Sequence, residues 1–86
     1  MYFISISRQM KRRPFNRSLR QNLGRSICRR REELGLTQRG LTKLADMSSQ
    51  RQVWDIEHGL TGMNVETARR VAKALDWSLS QLFKGL

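Results

Sequence analysis

The chain has 86 residues, with 17 Lys and Arg against 7 Asp and Glu, and a net charge of +10. That length suits one small domain with a modest core. A single Cys excludes an internal disulfide, and one Cys with one His makes no metal-binding cluster. No apolar run is long enough to span a bilayer.

The charge is unevenly placed. Residues 1–31 hold ten Lys and Arg and no acid, whereas residues 32–86 hold seven of each sign. A basic arm on a neutral body points to a polyanionic partner, nucleic acid above all. The plainer alternative is a solvated tail. The opening MYFISI is too short for the apolar core of a secretion signal and has no leading basic region. With the unpaired thiol, this suits a reducing cytoplasm.

In chain order, residues 1–17 lack steady periodicity and contain Pro14, so they read as a flexible basic arm in front of a body at 18–86. Tyr2, Phe3, Ile4 and Ile6 dock on the body, dock on a second subunit, or add a short strand. The residues leave these three open. A first helix is expected from about Leu19 to Leu34, with Leu23, Ile27 and Leu34 at helical spacing and Gly35 as its stop. Leu36 enters the core and Thr37 caps a second helix, with Leu41, Leu44 and Ala45 inward. Asp46, Met47 and Ser48 form a turn with Met47 inward. Ser49 opens a third helix, with Gln52 at capping-box spacing and Val53 and Ile56 inward. Gly59 ends it.

Asn64 caps a fourth helix, in which Ala68, Val71, Ala72 and Leu75 follow the i, i+3, i+4, i+7 pattern. Ser78 and Gln81 make a second capping box ahead of a last helix, with Leu79, Leu82 and Phe83 inward. The expected class is all-α with five helices.

Helices two and three, joined by a tight turn, form a unit suited to the DNA major groove. Gln50, Arg51 and Gln52 project from the first turn of the second of them, where Gln pairs with adenine and Arg with guanine. The same three residues on an isolated helix would be ordinary surface. Trp54 either packs on helix four or the arm, or stacks on a sugar or a thymine methyl. Asp55 accepts from cytosine N4 or pairs with Arg51 four residues earlier, and the pair is preferred. Trp77 is read as core. Arg29 and Arg30 face solvent or phosphate. Cys28 is read as an inert small apolar residue, with a redox sensor as the minor alternative.

LGRSICRRREELGLTQ, WDIEHG and VETARRVAKALDWSLSQLF together resemble the Cro/repressor-type (XRE-like) helix-turn-helix family over residues 20–84. The resemblance implies a repressor-like five-helix DNA-binding fold. It implies that Gln38 contacts phosphate and braces the recognition helix, that Gln50, Arg51, Gln52 and Asp55 face base edges, and that His58 lies near phosphate. It also implies an ion pair between Arg31 and Glu57. Thr37, Ser49 and Trp54, with Arg12 and Arg13 of the arm, complete the expected DNA-contacting set. Three features depart from the family. The stretch from Gln38 to Val53 is one residue longer than usual, and the usual turn glycine is replaced by Asp46 or Met47. The loop after helix three also lacks the basic residues common in the family, a role the arm can take over.

No nucleophile, base and oxyanion donor converge, so no enzyme, metal or cofactor is expected. The leading expectation is a sequence-specific double-stranded DNA-binding transcriptional regulator, a repressor acting as a homodimer. Its dimer contacts would come from the last helix (Leu79, Leu82, Phe83 and Leu86) or the arm. The alternative is an antitoxin or phage-type adaptor that binds a protein, such as a toxin, as well as DNA. A basic membrane-active or RNA-binding peptide is the third reading, opposed by the ordered caps and core pattern.

Overall fold

The computed structural model describes residues 6–84, with side chains for residues 19–84. Five helices follow one another: α1 (Ile6–Glu33), α2 (Gln38–Leu44), α3 (Gln50–Glu57), α4 (Val65–Ala74) and α5 (Leu79–Leu82). The described residues contain no strand. The fold is all-α.

Four of the five helices start where a short polar side chain closes the first turn. Thr37 Oγ1 accepts from Gly40 N at 3.0 Å, and Asn64 Oδ1 accepts from Thr67 N at 2.8 Å. Ser78 and Gln81 make a full capping box. Ser49 Oγ accepts from Gln52 N at 3.3 Å, yet the reciprocal half of that expected box is absent. Gln52 Oε1 instead accepts from Ser48 N and Ser48 Oγ, at 3.3 and 2.8 Å.

The first helix is longer than expected. It runs back to Ile6, so the expected boundary at residue 17 carries no break in the backbone, and Pro14 lies within the helix. A proline there removes one backbone hydrogen bond. The flanking Arg, Lys, Gln, Met and Leu residues favour a helix, and extending an existing helix is easier than starting one. Tyr2, Phe3 and Ile4 lie outside the described residues, as do Leu86 and the side chain of Ile6.

The core is built from one stripe of each helix: Ile27 from α1, Leu41 from α2, Val53 and Ile56 from α3, Ala68, Val71 and Ala72 from α4, and Leu82 from α5. Ala45, Met47 and Leu75, just past helix ends, complete it. Helix α3 packs on α1 and α2, α4 on α2 and α5, and α5 closes against α1. Four residues expected inside face outward. Leu34 and Leu44 are 40% and 60% exposed, and Leu79 and Phe83 are 37% and 44% exposed. Each lies at a helix end or on the rim, where helical spacing continues beyond the neighbour that would cover it.

The connection between α2 and α3 turns on Asp46, whose φ is 54°. Of the two residues that stand in for the expected glycine, Asp46 takes the left-handed conformation. Asp tolerates it better than most side chains. Met47 then tucks inward, 8% exposed, and its amide bonds Thr42 O at 2.9 Å.

Candidate nucleic-acid interface

Helix α3 is amphipathic in a simple way. Val53 and Ile56 are buried, while Gln50, Arg51, Trp54 and His58 are exposed. Its N-terminal turn is fixed by Ser49 and by the Gln52–Ser48 bonds. Its C-terminal turn is fixed by a buried network. Glu57 is buried at the helix end, where its charge opposes the helix dipole. Arg31 offsets this charge, with Nε at 2.7 Å from Oε2 and Nη2 at 3.2 Å from Oε1. Gln38 Nε2 donates to Oε1 at 3.0 Å, and Arg31 Nη1 donates to Leu36 O at 2.8 Å. One carboxylate thus ties α1, α2 and α3 together. Hydrogen bonding to Glu57 holds the Arg31 guanidinium charge more firmly than usual, outweighing the burial that opposes it.

A second clamp was not legible in the sequence. A Cβ at Gly24 would stand 2.5 Å from the carbonyl oxygens of both Ile56 and Glu57. The α1 backbone therefore lies directly against the end of α3. Gly59, with φ of 73°, turns the chain away beside Gln21.

The outward stripe of α3 is itself ordered. Arg51 Nε donates to Asp55 Oδ1 at 2.9 Å, and its guanidinium carbon sits 5.0 Å from the Trp54 ring centroid. Trp54 stacks on His58 with centroids 3.8 Å apart and planes inclined by 21°. Trp54 is thus partnered by residues of its own helix and is 37% exposed. His58 Nδ1 lies 2.8 Å from Trp54 O. Gln38, Gln50, Arg51 and Trp54 line a shallow depression between the start of α2 and the outer face of α3.

Six of the residues expected to contact DNA are thus brought together: Gln38, Gln50, Arg51 and Trp54 around the depression, and Asp55 and His58 through their contacts with Arg51 and Trp54. Thr37 and Ser49 accept as caps, and each hydroxyl keeps its own hydrogen to donate. Gln52 is half-buried, and its carbonyl oxygen accepts from both Ser48 N and Ser48 Oγ. The side chains of Arg12 and Arg13 lie outside the described ones. Arg30 departs from expectation: its Nε donates to Leu75 O at 3.0 Å and its guanidinium lies over Trp77, at 5.5 Å. It joins α1 to the end of α4 rather than facing solvent or phosphate. Trp77 is partly buried against the core.

Cys28 is half-buried, and its Sγ accepts from Arg31 Nη2 at 3.5 Å. Burial, aided by Glu57, pushes its thiol pKa up. A protonated thiol is a poor nucleophile. Among the described residues no group of His, Cys, Asp and Glu is placed to hold a metal, and no helix is long and apolar enough to cross a membrane. No protein-family model matches the chain, and no curated protein is significantly similar to it.

Proposed function

We propose that this chain is a sequence-specific double-stranded DNA-binding transcriptional regulator of the Cro/repressor helix-turn-helix type, with α3 as the helix that enters the major groove. One observation carries the reading. Gln50 and Arg51 stand exposed on a helix whose inner face is buried, whose first turn is capped by Ser49 and whose last residue is held by Arg31 of α1 and Gln38 of α2. A groove-reading helix needs side chains of this chemistry on a mount that does not flex. Gln38 and Thr37 sit beside it at the start of α2, where polar groups meet phosphate in such complexes. The arginine-rich first helix supplies sequence-independent attraction.

The protein acts by binding, as a cytoplasmic repressor, without a catalytic step. It works as a homodimer on paired half-sites, and the exposed Leu79 of α5 and Phe83 just after it support a protein contact there. The same two residues would also suit a different protein, which is the antitoxin or adaptor reading. Fluorescence anisotropy with labelled duplexes at several salt concentrations tests the main reading. The logarithm of the association constant should fall linearly with that of salt, by about 0.9 per phosphate contacted. One family of sequences should retain an advantage at every salt concentration. Equal affinity for all duplexes would refute it.

A further inference from the structure

Asp55 is an unexpected residue on a surface meant for DNA, because a carboxylate there is repelled by phosphate. Its geometry gives it a purpose. The Arg51 side chain is 74% exposed, and an exposed arginine ordinarily samples many rotamers. Here it is held at two points. Asp55 Oδ1 takes the Nε hydrogen at 2.9 Å, and the Trp54 ring lies against the guanidinium at 5.0 Å. Trp54 is backed in turn by the His58 ring at 3.8 Å. The Nε edge of the guanidinium is occupied, while neither Nη has a protein partner among the described residues. Those two nitrogens are the donors that pair side by side with guanine O6 and N7.

We propose that Asp55 is a specificity-determining positioning residue. It fixes Arg51 against Trp54 so that its two Nη groups read one guanine, and its charge penalises registers in which Arg51 turns to a phosphate instead. The proposal rests on the DNA-binding reading above and deepens it. Fixing the side chain before binding removes part of the ordering cost on the correct base. A phosphate contact would pull Arg51 away and leave Asp55 unpaired beside the DNA backbone. Asp55 thus acts through Arg51 and need not touch DNA.

The test uses the full chain and duplexes in which each base pair of the preferred site is replaced in turn. Arg51→Ala identifies the base pair that Arg51 reads as the one whose preference is lost. For the wild type that preference should be on the order of ten- to a hundred-fold. Asp55→Ala should collapse it at that same base pair alone, while binding to unrelated duplex becomes tighter because a negative charge is gone. Asp55→Asn, which keeps the Oδ1 acceptor, should restore a good part of the preference. Unchanged preference in Asp55→Ala overturns the proposal, and so does an equal loss at every base pair, which is what a structural role would give. A wild type with no preference at any position refutes the DNA-binding reading itself, a separate result.

Discussion

Gln38 Nε2 donates to Glu57 Oε1 at 3.0 Å, so the first residue of α2 is bonded to the last residue of α3 across the turn that joins them. Arg31 holds the same carboxylate from α1, and the Glu57 side chain is 2% exposed. Removing one member of a buried pair leaves the other charge uncompensated, which costs about 3–5 kcal/mol. Glu57→Ala should lower unfolding stability by that amount in urea titration. Arg31→Met combined with Glu57→Leu should cost less than Glu57→Ala alone. A Glu57→Ala variant within about 1 kcal/mol of wild type would show the network to be incidental.

Gly24→Ala should destabilise the fold by roughly 1–3 kcal/mol, the usual cost of overpacking, although alanine favours a helix by up to about 1 kcal/mol. The new methyl would meet backbone carbonyls at 2.5 Å, which cannot swing aside as a side chain can. Thermal melting is the measurement, with Gly40→Ala as the comparison: its nearest atom would be the Thr37 hydroxyl oxygen at 3.4 Å. If Gly24→Ala melts no lower than Gly40→Ala, the close contact of α1 with α3 is wrong.

The two glutamines of α3 should behave differently. Gln50 is exposed and free of side-chain bonds among the described residues, so Gln50→Ala should relax one base position by ~1–3 kcal/mol. Gln52 accepts two bonds from Ser48 on its oxygen, which a two-point contact with adenine would have to break. Gln52→Ala should instead lower stability by about 1 kcal/mol and weaken all sequences alike. Binding measured against a panel of single-base variants separates the two patterns. A position-specific loss in Gln52→Ala would reverse the assignment.

These residues also mark what the sequence could disclose. Thr37, Ser49, Asn64 and Ser78 were legible as helix starts because a cap is a local bond, written within three residues. Arg31 with Glu57 was legible only through family resemblance. The positions of Gln52 and Arg30 depended on partners placed by the fold, Ser48 in the turn and Leu75 O on another helix. Gly24 carried no local signal, because its meaning lies in the backbone that passes beside it. Leu44, Leu79 and Phe83 matched helical spacing, but spacing gives the direction of a side chain and not whether anything stands there to cover it. Pro14 counted toward a flexible arm because its local cost was visible and the helix continuing on both sides of it was not.

The Cys28 thiol should be sluggish in the folded chain. Its pKa is raised chiefly by burial, so the folded protein keeps the proton at pH values where the unfolded chain has lost it. Its contribution to stability is therefore whole below the unfolded thiol's pKa and fades as pH rises through the folded one. Alkylation by iodoacetamide should be slower in the native chain than in urea, and its rate should still be climbing at pH values where the unfolded chain has levelled off. Equal rates and equal pH profiles in the two states would contradict this.

The central claim is that the outer face of α3 reads base edges. Selection of bound duplexes from a random pool, run in parallel with wild type and Arg51→Ala, tests it most directly. The wild type should enrich a defined motif containing a guanine, and the variant should enrich the same motif with that one position degenerate. A wild type that enriches nothing, or a variant that returns the identical motif, would contradict the claim.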